Sequence, residues 1–449
     1  MKYDVVVIGG SAAGLISAKT AKLSYPEKSV LVIRKEEISL VPCGIPYGFS
    51  TLKSIDDDIM GIDPIKKLGV DFLIEEVTKV DIKSKKVFTS NNEVEYDKLI
   101  FATGSTPFIP PIEGKDLDGV YTIPKDYYYL KDAIDKIKKA KDIVVIGAGF
   151  IGIEVSDELR KEVDNVTLVE ALDCVLPLAF DRDIAEEIAA KLRENGLNIM
   201  ISKRVKRIVG ENGKVSAVEF EDGEVIKADA VILSIGYKPN TKLAADAGLL
   251  IGKNGAIWVD EYLRTSEKDV YAAGDCAEHK DFFTRRSTKL MLASTATFDA
   301  RVAGENLFTL KVVRESKGNI SIFSSAIEGL AMGAAGVTEH TAIKEGFEIV
   351  IGKFSTIDRH PGTLPDKTKT VVKLIFAKYS GVLLGAQIIG GKSVGEMINI
   401  LGLAIQKTMT ATELATLQFG THPLLTAAPT MYPIVLAAES ALRQICTKS

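Results

Sequence analysis

The stretch Ile143-Val144-Val145-Ile146-Gly147-Ala148-Gly149-Phe150-Ile151-Gly152-Ile153-Glu154 decides the fold. Four consecutive apolar residues read as a strand buried on both faces, and the three glycines that follow open a helix running to about Leu159. The glycines serve a tight turn, a close approach of backbone to a pyrophosphate, and packing of helix on strand. The phosphates then lie on the positive helix N-terminus. Val166-Thr167-Leu168-Val169-Glu170 adds a second strand with a terminal acid at the expected distance, so the whole dinucleotide fingerprint stands in its required context. The expected cofactor contacts here are Gly147, Gly149, Phe150, Ile151, Gly152 and Glu154. Glu170 would accept a hydrogen bond from a ribose 2′-hydroxyl and repel a 2′-phosphate, which predicts NADH over NADPH.

Working outward, a second unit of this kind opens the chain. Met1 to Ile8 reads as a buried parallel strand, Gly9-Gly10-Ser11-Ala12-Ala13-Gly14 as the turn, and Leu15 to Leu23 as the helix. Ser11 takes the place of the middle glycine. After the next strand, Val30 to Ile33, the ribose-binding acid is missing, and either Arg34 replaces it or Glu36 supplies it from two residues further on. Two such units about 140 residues apart are better explained by two dinucleotides than by chance. Later strands end in small turns that can pass close to a cofactor: Ala102-Thr103-Gly104, Gly236 ahead of Pro239-Asn240, and Gly274-Asp275, whose carboxylate would bind a ribityl hydroxyl. Leu292 to Thr297, including Thr295 and Ala296, opens a helix whose amides would face a flavin.

Between the two units lies Val41-Pro42-Cys43-Gly44-Ile45-Pro46-Tyr47-Gly48-Phe49. A cysteine framed by prolines and glycines shortly after a nucleotide-binding turn is placed to exchange electrons with a flavin, and Cys43 is the expected redox nucleophile. Cys174, Cys276 and Cys446 read as packing residues, and His279 and His340 as solvent-facing. From about Ile322 the pattern changes to antiparallel strands, such as 370–377 and 382–389, with helices over 394–407 and 412–417.

Composition narrows the function classes. With 449 residues, a net charge of −4 and no basic block, the chain does not read as a nucleic-acid binder. No apolar run reaches the roughly 18 residues of a membrane span, and a strand within the first ten residues leaves no room for a signal peptide. A cytoplasmic protein is expected. The four cysteines show neither Cys-x-x-Cys nor metal-ligand spacing, so neither a metal nor a disulfide framework is expected.

Taken together, the paired turns, Ala102-Thr103-Gly104, Gly236 with Pro239-Asn240, and Gly274-Asp275 resemble the pyridine nucleotide-disulfide oxidoreductase family along nearly the whole chain. The resemblance implies an α/β protein with two Rossmann-like domains and a C-terminal α+β dimerisation domain. The FAD domain would cover 1–115 and 242–321, the NAD domain 116–241, and the dimerisation domain 322–449. FAD and NADH are the implied cofactors, with Pro42, Cys43 and Val77 assigned to the flavin site beside the turns above. The Cys43 stretch is similar to the single-cysteine branch: coenzyme A disulfide reductases, persulfide reductases, and NADH oxidases or peroxidases. Gly48 stands where the two-cysteine branch has its second thiol. The NADH peroxidases and oxidases carry a histidine at the position of Ala12, and Phe150 replaces the tyrosine that commonly covers the flavin in this branch, keeping an aromatic gate without its hydroxyl.

His422 of His422-Pro423 resembles the base that lipoamide dehydrogenases bring to the partner's site, although Ala427 stands where the orienting glutamate would be. Tyr432 and His360 are further candidates at the thiol substrate. The implied reaction passes hydride from NADH through FAD to Cys43, which needs a low thiol pKa and reduces a small disulfide, persulfide or polysulfide in a homodimer with shared active sites. The alternatives are an oxygen- or peroxide-reducing NADH oxidase or peroxidase, a flavoprotein electron-carrier reductase, and a non-enzymatic NADH sensor.

Overall fold

The structure, a computed structural model, describes residues 1–313 and 318–446, with Cys446 as backbone alone. Its first sheet is built on Lys2–Ile8, whose Val5, Val6 and Val7 are fully buried. A strand apolar on both faces needs cover on both, and this one runs parallel to Val30–Arg34 and Glu93–Phe101 inside the sheet. Val70–Ile74 and Val270–Ala272 extend it in parallel, so residues from both ends of the first 300 form one sheet. The helices Ala12–Ser24 and Ala293–Glu305 pack on each other, close enough that a side chain on Gly304 would meet Thr20 at 2.8 Å. The first helix begins at Ala12, inside the glycine turn, where the sequence pattern placed its start at Leu15.

The second sheet is wholly parallel, in the order Asn198–Met200, Asn165–Val169, Asp142–Ile146, Ala230–Leu233, Val120–Thr122. Where the chain enters and leaves this unit, Ser105–Pro107 pairs antiparallel with Tyr237–Pro239. That two-stranded strap carries Gly104 and Gly236 to the same place, although they are far apart in sequence.

The third sheet is antiparallel, ordered Ile322–Ile327, Leu330–Gly336, Leu383–Gly390, Lys369–Ala377, Ile349–Ile357. The expected hairpin is present with Val371 opposite Ile389. Helices Val394–Gln406 and Pro433–Cys446 cover the sheet. The helix expected over 412–417 is Ala411–Ala415, started by a capping box of Thr410 and Glu413 and ended early. Lys373, only 3% exposed, fastens this unit to the second with Nζ at 3.2 Å from Asp181 and 2.9 Å from Asp183, and to its own Glu339 at 2.8 Å. Among the described residues no helix is long and apolar enough to cross a membrane.

Candidate active site

Both glycine turns and Cys43 open into one cleft of about 2190 Å³. Its first wall holds Gly9, Gly10, Ser11, Ala12, Arg34, Glu36, Pro42, Cys43 and Val77. The second holds Gly147, Gly149, Phe150, Ile151, Glu154 and Glu170. Ala102, Thr103, Gly104, Gly236, Asp275 and Ala296 close it between them. Gly14, Gly152, Gly274 and Thr295 stand behind this surface. There, Gly14 and Gly152 let each helix meet its turn: an added Cβ would lie 1.9 Å from the Gly9 or the Gly147 carbonyl oxygen. Gly149 is different, since a Cβ there would meet nothing within 4 Å. Its backbone faces open space at the start of helix Phe150–Leu159, the shape a pyrophosphate requires.

The two ribose positions differ in kind. Glu170 is 9% exposed, and its carboxylate accepts the amides of Ala148 and Leu172, both at 2.8 Å, so it closes its own turn while lining the cleft. Arg34, 5% exposed, packs its stem against Gly10 and donates to Ser39 Oγ (2.9 Å) and the Glu37 carbonyl (2.5 Å). Its Nε is buried without a partner, and such an orphan donor calls for an acceptor. Arg34 therefore braces the turn in place of the missing acid, while Glu36 lines the cleft two residues on. The open Gly149 backbone and the unpaired Arg34 Nε fit two bound dinucleotides.

Cys43 stands exposed at the cleft surface, yet the surrounding walls displace enough water that desolvation pushes its thiol above the ordinary value. Glu154 pushes the same way, as do Asp58 and Asp275, while the Lys125 ammonium pulls down. The protein around Cys43 thus raises the thiol pKa, against the expectation that it lowers it. Desolvation is the larger cause, and the acidic company adds to it. Glu154 is half-buried, pushed up to about 7 by desolvation, and held by Ser325 Oγ at 2.6 Å. Asp58, 4% exposed, is pushed up to about 6 by burial and lies directly under Gly44. Lys125 and Ser105 were not singled out from the sequence. Lys125 Nζ lies 2.9 Å from Asp275 Oδ2 and Ser105 Oγ donates to the same oxygen at 2.7 Å, so Asp275 stays ionised against its own desolvation. We expect Glu154→Gln to lower the Cys43 thiol pKa, because a carboxylate that opposes the thiolate is removed, and so to raise the thiolate fraction near neutral pH. The rate of iodoacetamide alkylation measures this, and an unchanged rate contradicts the charge assignment.

The remaining candidates lie elsewhere. His360 precedes a cis peptide to Pro361 and places Nδ1 3.1 Å from the Thr426 carbonyl. His422 is exposed, its Nδ1 accepting the Leu424 amide at 3.2 Å. Tyr432 is 7% exposed and stacks on Phe419 with ring centres 4.2 Å apart. All three belong to the third unit, and none lines the cleft of its own chain. Phe150 does line it, stacked on Phe323 of the third unit at 5.1 Å. His340 is exposed as expected. His279 is not: it is 4% exposed, bonded at both ring nitrogens, and lines the cleft. Cys276 and Cys174 are buried packing residues.

Two nucleotide folds that share one cleft define a two-dinucleotide oxidoreductase. The description "pyridine nucleotide-disulphide oxidoreductase" matches residues 3–300, and the dimerisation domain of the same family matches 322–432. The chain belongs to this family, its cofactors are FAD and NADH, and its third unit is the dimerisation domain. It is 37% identical over 456 residues to an NADH oxidase of Methanocaldococcus jannaschii, covering 99% of both chains. An NAD(P)H coenzyme A polysulfide/persulfide reductase of Pyrococcus horikoshii is 35% identical over 399 residues, 87% of this chain and 88% of the other. The NAD-dependent persulfide reductase of A. fulgidus superposes with a TM-score of 0.92 at 33% identity, over 100% of this chain and 84% of that one.

Proposed function

We propose that the protein is an NADH-dependent reductase of small disulfides, persulfides or polysulfides, with Cys43 as its sulfur relay. The observation that carries this reading is a reachable thiol, the only one among the described side chains, at a cleft lined by both dinucleotide turns. Cys174 and Cys276 are buried, and Gly48 occupies the place of a second thiol, so electrons leave through one sulfur. The bound FAD and NADH supply two electrons as a hydride equivalent.

The chain's own residues perform the sulfur chemistry. The Cys43 thiolate attacks a disulfide R–S–S–R, forming Cys43–S–S–R and expelling RS⁻, which takes up a proton. Two electrons and one more proton cleave the mixed disulfide, restore the Cys43 thiolate and release the second thiol. NADH, a proton and RSSR thus give NAD⁺ and two RSH. With a persulfide the sulfur passed on leaves as hydrosulfide. Lys125 favours the thiolate, and the Glu154 carboxyl, poised near 7, shares protons beside it. Phe150 covers the nicotinamide approach. Because none of His360, His422 and Tyr432 lines the cleft of its own chain, we assign them to the site of the second chain in the dimer, with His422 protonating the leaving group. Relatives named an NAD(P)H coenzyme A polysulfide/persulfide reductase and a CoA-dependent NAD(P)H sulfur oxidoreductase support coenzyme A as the thiol carrier. A cytoplasmic location agrees with thiol chemistry of this kind.

A second reading, NADH oxidation by oxygen, is favoured by the name of the 37% identical relative. Against peroxide handling, Ala12 lines the cleft with no group to move a proton. The test is NADH oxidation with coenzyme A disulfide, coenzyme A persulfide, polysulfide and oxygen side by side. Sulfur turnover well above the oxygen rate is expected; oxygen turnover at least as fast, with none on sulfur, would overturn the proposal.

A further inference from the structure

Three pieces of chain reach the cleft beside Asp275: the Gly274–Asp275 turn, the segment at Leu290, and the head of helix Ala293–Glu305. One buried pair ties them together. His279 Nε2 lies 2.7 Å from Asp299 Oδ2, and Nδ1 lies 3.1 Å from the Leu290 carbonyl oxygen. The same Asp299 oxygen accepts the Gly274 amide at 3.3 Å, and Asp299 is 2% exposed. A carbonyl can only accept, so Nδ1 carries a hydrogen, and the second proton of the pair lies between Nε2 and the carboxylate. Burial opposes an imidazolium here, but Asp299 outweighs it and holds His279 above the ordinary histidine value, with smaller help from Leu290 and Asp275.

We propose that His279 and Asp299 are a positioning pair for FAD: they hold the Gly274–Asp275 turn against the head of helix Ala293–Glu305, and their shared proton keeps a negative charge at the flavin site balanced. The proposal rests on FAD as the cofactor and not on the identity of the acceptor. Asp275 faces the pair from the turn, with Lys125 bonded to it and the Cys276 thiol buried beside it. Lys280, Lys289 and Arg301, which flank the pair in sequence, are exposed. On the packed helix Ala12–Ser24, Lys19 is exposed and Lys22 is committed to the Pro26 and Lys28 carbonyls. Asp299 is thus the partner that decides the proton. Because the folded value is raised, the stabilising contribution is complete below the ordinary histidine pKa and is lost as pH rises through the folded one. Loss of the proton leaves Asp299 unbalanced, which disfavours both FAD retention and the reduced, anionic flavin.

The experiment follows FAD release from the holoprotein by flavin fluorescence, and the flavin midpoint potential, from about pH 6 to about pH 9, in wild type, His279→Gln and Asp299→Asn. No sulfur acceptor is present, so a wrong assignment of the acceptor leaves the result unaffected. In wild type, FAD retention should weaken as pH rises. Each variant should hold FAD about tenfold less tightly near neutral pH, the scale of a lost charged hydrogen bond, and should lack the pH inflection in release and potential. Nitrogen-15 labelling of the four histidines supplies a readout on wild type alone: one imidazole should stay doubly protonated above neutral pH. Should the variants fail to fold, that spectrum and the wild-type release profile decide. The proposal is overturned if no histidine stays protonated, if wild-type release shows no inflection, or if folded His279→Gln keeps wild-type affinity and potential slope.

Discussion

A Cys43→Ser protein should fold, keep its FAD and lose its NADH-dependent sulfur reduction by on the order of a thousandfold or more, the scale of deleting a covalent nucleophile. Serine fills the same space at an exposed position, so no packing is lost. Its hydroxyl, however, is not deprotonated near neutral pH and forms no mixed disulfide. Among the described side chains no other thiol can substitute: Cys174 is buried in the second unit, and the Cys276 Sγ donates to the Phe101 and Ala273 carbonyls in the core. Oxygen consumption should survive, because reduced flavin reacts with oxygen without a protein thiol. The two rates measured on one preparation therefore separate the readings. If the variant reduces coenzyme A disulfide or polysulfide at the wild-type rate, Cys43 is no relay and the electron-carrier alternative takes its place.

The second large effect is expected at Gly149, where Gly149→Asp should raise the KM for NADH by at least about a hundredfold while leaving stability nearly unchanged. The residue has an extended backbone with φ −74°, which any L-residue adopts, and its Cβ would meet nothing within 4 Å. The fold has no reason to reject the side chain. The carboxylate would nevertheless stand at a helix N-terminus in the space required by a pyrophosphate, and excluding one anion with another costs several kcal/mol by repulsion and by loss of the amide contacts. Gly152→Ala is the contrasting control: its Cβ would lie 1.9 Å from the Gly147 carbonyl oxygen, so it should lower the melting temperature instead. Steady-state kinetics with NADH and thermal melts of both variants check the pair. Normal NADH kinetics in Gly149→Asp would remove the pyrophosphate from this turn.

The contrast between these two glycines shows how much of the site was legible beforehand. Both fingerprints are local: strand, turn and helix follow one another within about thirty residues, and the requirements of that unit are written in residue types at fixed spacing. The Gly9, Gly147 and Glu170 positions therefore appear in the cleft wall where their motifs place them, and Gly104 and Gly236 meet there because each ends a strand of its own sheet. Arg34 was half legible. Its break from the acid pattern stood out, but only the packed structure shows it buried under Gly10 with one nitrogen unpaired.

What the chain by itself determined is the architecture and the chemistry available to it: two dinucleotide units, a dimerisation unit and one solitary cysteine between prolines. Only the tertiary structure decided the electrostatics. Glu154, Asp58, Lys125 and Asp275 come from four separate segments, and their net effect on Cys43 is a sum of burial and charge that no spacing encodes. His279 is the clearest case. A histidine followed by Lys280 and Asp281 reads as surface, yet a helix twenty residues later brings Asp299 onto its ring and leaves it 4% exposed. Periodicity reports which face of an element is apolar, but the partner that neutralises a buried charge is chosen by how distant elements pack.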